Sequence, residues 1–146
     1  MTATDTHGTL RDAIRKTLDR HIGGARDASA VAEATVITWR QVAAQLAPVI
    51  GVRGVDVLFS RSLHLTSTTY VWLALARNHE DAATLLTSFK ERLEARGAVA
   101  AAEASLAVLL TFTDLLATLI GESLTERLLG PVWASPPKAF AEETAP

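Results

Sequence analysis

The chain has 146 residues, carries 14 Lys and Arg against 16 Asp and Glu for a net charge of −2, contains no cysteine, and is 49% hydrophobic but only 5% aromatic. A chain of about 150 residues buries roughly 68–70% of its unfolded surface, enough for one self-sufficient core. Without cysteine it has no disulfide, thiolate nucleophile or cysteine-ligated metal centre, and near-neutral charge with a pI of about 6.1 supplies no general footprint for nucleic acid or an anionic membrane.

Ala and Leu make up nearly a third of the chain and β-branched runs are scarce, so helix propensity points to an all-α domain, a bundle of five to six helices with a long C-terminal helix. Eleven Arg against three Lys resembles the coding bias of a GC-rich bacterium. The polar stretch from Met1 to Thr9 lacks a basic segment followed by an apolar run, so no secretory leader is expected and the cytoplasm is the default location. The expected division is a flexible N-terminus over 1–8, one helical bundle over 9–133 and a flexible tail over 134–146.

The first helix is expected to follow Thr9, carrying Leu10, Ile14, Leu18 and Ile22 at a spacing of four, and to stop at Gly23-Gly24. Asp27 or Ser29 can cap the next helix, which runs through Val31, Ala34, Trp39, Val42 and Leu46 to a break at Pro48. A third helix over Val49 to His64 holds Gly51 and Gly54 in its first turns, where glycine suggests close backbone approach. The Thr66-Ser67-Thr68-Thr69 cluster interrupts it, and Tyr70 to Arg77 follows as a short segment.

Asn78 is a candidate cap for a helix with Ala82, Leu86, Phe89 and Leu93 inward and Lys90, Glu91 and Glu94 outward, closing at Gly97. The last helix is expected from about Val99 to Leu129, ended by Gly130-Pro131. No internal repeat of 20 to 50 residues is found.

That last helix is too apolar for a surface position. Glu103, Ala107, Thr111, Asp114, Thr118, Gly121, Glu122 and Thr125 share an arc of roughly 100°, and the remaining residues spread an apolar face over about 220°. Either sister helices wrap it, or a second subunit does. A self-associating patch gives a two-fold dimer, with Leu109, Phe112, Leu116, Leu119 and Ile120 as interface candidates. Residues 29–77 carry a net +2 and residues 99–130 a net −3, which fits packing of the middle helices on the last one, with Arg53 or Arg61 available to Asp114. The longest uncharged run there, Ala104 to Thr113, falls short of the ~20 residues that span a bilayer.

Chemistry-bearing residues gather most densely on the third helix, where Arg53, Asp56, Ser60, His64 and Ser67 fall within roughly 80°. The plain account is the exposed side of an amphipathic helix, with Val55, Leu58, Phe59, Leu63 and Leu65 opposite. The functional account is a polar ligand site between the third and last helices, formed by Arg53, Asp56, Ser60, Arg61, His64, Asp114 and Thr118, with Tyr70 and Trp72 nearby for stacking. Ser60, His64 and Asp56 on one helix face cannot alone orient a nucleophile, base and orienter around an oxyanion site. His7, His21, His64 and His79 show no metal-ligand spacing, and neither His64 nor His79 is followed three positions on by the Lys typical of phosphotransfer bundles. No phosphate loop, dinucleotide fingerprint or basic recognition helix is present. The expectation is a non-enzymatic, homodimeric interaction or regulatory module of a signalling or adaptor type, needing no cofactor or metal and binding no nucleic acid or membrane. A small-ligand sensor is the alternative.

Overall fold

The computed structural model describes residues 3–22, 27–73 and 82–133, with side chains at positions 10–22, 27–73 and 85–133. Among these residues the chain is all-α: α1 (Ala3–Ile22), α2 (Ala28–Thr66), a 3₁₀ turn (Val71–Leu73), α3 (Ala82–Glu94), α4 (Ala98–Ile120) and α5 (Glu122–Trp133). Helix α1 starts at Ala3, ahead of the start after Thr9 that the spacing suggested. The expected features at Gly23-Gly24, Asn78 and the tail 134–146 lie outside the described residues.

Asp27 caps α2 as expected, its carboxylate accepting from the Ala30 N–H at 2.8 Å. The helix then folds back on itself. The Trp39 and Phe59 ring centroids lie 4.2 Å apart, whereas twenty residues of straight helix would separate them by about 30 Å. The fold-back occurs at Gly51 (φ 85, ψ 156), not at Pro48, because that region of backbone space is essentially restricted to glycine. A Cβ at Gly51 would meet nothing within 4 Å, so its glycine serves the turn and not the close approach expected of it. The second arm ends at Thr66, where the Ser67 and Thr68 hydroxyls donate to the His64 and Leu65 carbonyls, as the Thr/Ser cluster implied.

The single long C-terminal helix is corrected to two. Gly121 (φ 94, ψ 153) ends α4 and turns the chain into α5, a break that the unbroken helical wheel missed. The turn also resets the rotational phase, so Thr125, expected on the polar arc, is buried with its hydroxyl donating to the Gly121 carbonyl at 2.7 Å. Helix α5 runs through Gly130-Pro131 to Trp133. A proline inside a helix costs about 3 kcal/mol, offset here by burying Val132 and Trp133 beyond it, at about 1.5–3 kcal/mol for a side chain of this kind. Gly97 does not close α3, which stops at Glu94; it is the N-cap of α4.

The two glycine turns are equivalent, and the equivalence extends along the chain at an offset of 70. Ala28, Ala30, Ala32, Glu33, Ala34, Leu46, Ala47, Ile50 and Gly51 are matched by Ala98, Ala100, Ala102, Glu103, Ala104, Leu116, Ala117, Ile120 and Gly121. Burial follows the same register: in the first arm of α2 and in α4, eight of nine buried positions coincide, and all four buried positions of α5 match buried positions in the second arm. Helix α3 matches α1 at an offset of 71, with Leu85, Phe89 and Leu93 in the places of Ile14, Leu18 and Ile22. The molecule is thus a duplication, α1 with the two arms of α2 and α3 with α4 and α5. This repeat is longer than the 20 to 50 residues searched in the sequence because its unit is three helices.

The halves meet along the first arm of α2 and α4. Thr35 and Ser105, equivalent positions, share a hydroxyl–hydroxyl hydrogen bond of 2.8 Å and so mark the local two-fold axis. Trp39 packs edge-on against Phe112 at 4.7 Å, which requires the two helices to run in the same direction and puts Gly51 and Gly121 at one end of the bundle. Both outer helices reach across to the other half: Phe89 of α3 lies edge-on to Phe59 at 5.8 Å, and the Thr17 hydroxyl of α1, which also packs on α2, donates to the Trp133 carbonyl at 3.4 Å. Helix α4 is therefore covered by α1, α2, α3 and α5, and most of its apolar excess meets the other half of its own chain.

Candidate functional site

The polar face of the second arm of α2 is where the helical spacing placed it, and it is a surface. Arg53, Ser60, Arg61 and His64 are exposed, Asp56 is half-buried, and Val55, Phe59 and Leu63 on the opposite side are in the core. Asp114 and Thr118 are exposed on α4, where the Thr118 hydroxyl donates to the carbonyl of Asp114 in its own helix at 3.0 Å. No described cleft is lined by these seven residues. Tyr70 and Trp72 do come together, with ring centroids 6.3 Å apart, and Trp72 is clamped by the Arg92 guanidinium on its carbonyl at 3.0 Å and by Arg96 over its ring at 5.1 Å.

The interface candidates divide. Leu109, Phe112 and Leu116 are buried in the chain's own core, because the first half of the duplication supplies the cover that a second subunit would otherwise have supplied. Ile120 is half-buried, and Leu119 stays 63% exposed. Leu119 belongs to a group that sequence reasoning did not assemble: Val49 (48% exposed), Val52 (67%) and Val57 (61%) lie around the equivalent turn at Gly51, at the same end of the bundle. The missing signal was the direction of packing, since only parallel helices bring the residues before Gly51 and Gly121 to one end.

A cleft of about 540 Å³ lies elsewhere, towards the start of α4. One wall is α1, with Arg11, Arg15, Leu18, Asp19 and Ile22; the other is α4, with Ala102, Glu103, Leu106 and Ala107; Val31 and Tyr70 complete it. Its counterpart in the duplication is closed by an ion pair. There the Lys90 ammonium meets Glu33 at 3.1 Å, and Glu94 lies 3.8 Å away. The hydrogen bond from Lys90 to Glu33, followed by their charge attraction, raises the lysine pKa above its ordinary value. On the cleft side Glu103 replaces Glu33 but Asp19 replaces Lys90, while Leu18 and Ala107 stand where the closed side has Phe89 and Ile37. The shared Glu and the two smaller residues are the sequence signal for this cleft, visible only once the 70-residue register is known.

Helices α2 and α4 each contain a stretch long and apolar enough to cross a bilayer; half of the stretch in α4 and 22% of that in α2 is buried within the fold. No protein-family model, curated protein or solved structure matches the chain.

Proposed function

We propose that the chain is a non-enzymatic helical interaction and regulatory module that works as a homodimer through the apolar end of its bundle. The observation that carries this reading is that four of the six large apolar residues exposed among the described residues, Val49, Val52, Val57 and Leu119, lie around the two glycine turns, with Val71 and Val99 at the opposite end. Single exposed apolar residues are ordinary on a protein surface, but a group of them at one end marks a contact surface. A second copy fits this end because the patch is bordered by both signs of charge, Arg53 after one turn and Glu122 after the other, both exposed. Across a two-fold axis each would face its opposite on the other copy.

Light scattering across a concentration series tests this. The expected result is a mass of two chains, reduced to one by Val52→Glu or Leu119→Glu with helix content unchanged. A single-chain mass at every concentration up to the millimolar range would remove the proposal. A second reading, small-ligand binding, is supported by the cleft between α1 and α4, whose volume falls in the roughly 300–1,000 Å³ range of small-molecule sites.

A further inference from the structure

The duplication supplies an internal control for the cleft. The two corners differ at most lining positions: on the cleft side Leu18 and Ala107 are smaller than Phe89 and Ile37, Val31 and Leu106 are larger than Ala101 and Val36, and Arg15 and Asp19 stand where the other corner has Leu86 and Lys90. Phe89 is buried edge-on to Phe59 at the one corner, and the smaller Leu18 and Ala107 line the cleft at the other. Lys90 neutralises Glu33, whereas Glu103 makes no ion pair among the described residues, and neither do Arg11 and Arg15 across the cleft.

We propose, on the ligand-binding reading above, that this cleft takes a small zwitterion with a large apolar side chain, of the free α-amino acid class. Both charge signs are required by the lining. An anion alone would face the carboxylates of Asp19 and Glu103, and a cation alone would face two guanidiniums. A zwitterion satisfies both, its ammonium taking on Glu103 the place that Lys90 takes on Glu33, and its carboxylate meeting Arg15 and Arg11, one helical turn apart on α1. The apolar side chain covers Leu18 and Ala107 beside Tyr70, which offers a ring face to an aromatic ligand. The cleft lies roughly 20 Å along α4 from Leu119, so it is separate from the self-association surface.

NMR titration of the full chain with L-tryptophan, tryptamine and indolepropionate tests the assignment, the second lacking the carboxylate and the third the ammonium. Saturable binding of tryptophan is expected, with each of the others weaker by about tenfold or more, the worth of one charge-assisted hydrogen bond. Glu103→Gln should remove the advantage over indolepropionate, and Arg15→Gln the advantage over tryptamine. Leu18→Phe with Ala107→Ile, which copies the closed corner, should abolish binding while leaving the dimer mass unchanged. Because Glu103 and Arg15 are exposed, their variants remain informative if the filled variant fails to fold. No saturation by any of the three compounds would overturn the cleft as a ligand site altogether. Equal binding of all three, or binding indifferent to Glu103→Gln, would overturn the zwitterion while sparing the ligand-binding reading.

Discussion

The two corners where an outer helix meets an inner one show how a duplicated fold divides its labour. At the corner of α3 and α2, Lys90 bridges Glu33 and Phe89 reaches the ring of Phe59, so space and charge are both closed. At the corner of α1 and α4 the same backbone arrangement holds a cleft of about 540 Å³ with Glu103, Arg11 and Arg15 around it. The backbone alone does not decide whether such a corner is structural; the side chains along the two outer helices do. The closed corner shows what the fold needs, and the departures at the other show what it does not need for stability.

The sharpest way to break the comparison is in the shared core. Leu46 and Leu116 are equivalent and both fully buried, so Leu46→Ala and Leu116→Ala should each lower unfolding free energy by about 2–5 kcal/mol in chemical denaturation. Costs differing by more than the usual spread would mean that the halves do not share one core. Next come the turns. Gly51→Ala and Gly121→Ala force a side chain into glycine-only backbone space with no neighbour to clash with, so each should cost about 1–3 kcal/mol from torsion alone. Unchanged stability at either would show that the turn is not held in this conformation.

A smaller effect sharpens the comparison at the helix caps. Gly97 caps α4 with nearly the backbone conformation of Asp27 (φ −70, ψ 162 against φ −98, ψ 171) but with no side chain to accept a hydrogen bond. Asp27→Ala should cost about 1 kcal/mol, and Gly97→Asp, which transplants the better cap into open space, should add a few tenths of a kcal/mol of stability, read as a slightly higher melting midpoint. The smallest effect is the pH dependence of the Lys90–Glu33 pair. Its folded-state pKa is raised, so its contribution is complete below the unfolded lysine value and is lost as pH rises through the folded value. Melting curves of the parent and Lys90→Met should therefore differ at neutral pH and converge in strong alkali; a gap that persists there would assign the effect to packing of the lysine stem.

Local signals were readable before the structure was. The Asp27 cap, the inward Phe89 and Leu93 of α3 and the end of α2 at Thr66 each depend on chemistry within one or two helical turns. The turns at Gly51 and Gly121 were not, since a glycine inside an apolar helical pattern looks the same whether it bends the chain or only weakens it, and Pro48 offered a stronger nearby stop. That error carried forward: a wheel drawn through Gly121 mixed two phases, put Thr125 on a polar stripe and left Leu109, Phe112 and Leu116 without cover. The cover came from residues 70 positions away. The cleft was illegible for the same reason, because Arg15 and Glu103 stand 88 residues apart in sequence and their meaning depends on Lys90 and Glu33 elsewhere.

The exchange of outer helices also has a consequence for the chain as it emerges from the ribosome. Helix α1 is made before the other described helices, yet its docking surface includes the Trp133 carbonyl of α5, the last of them to be made. Its apolar stripe of Ile14 and Leu18 can meet α2 first, but its enclosure is complete only once α5 has been made, and a nascent chain halted before α5 leaves part of that stripe open to chaperones or to mispairing with a neighbouring nascent chain.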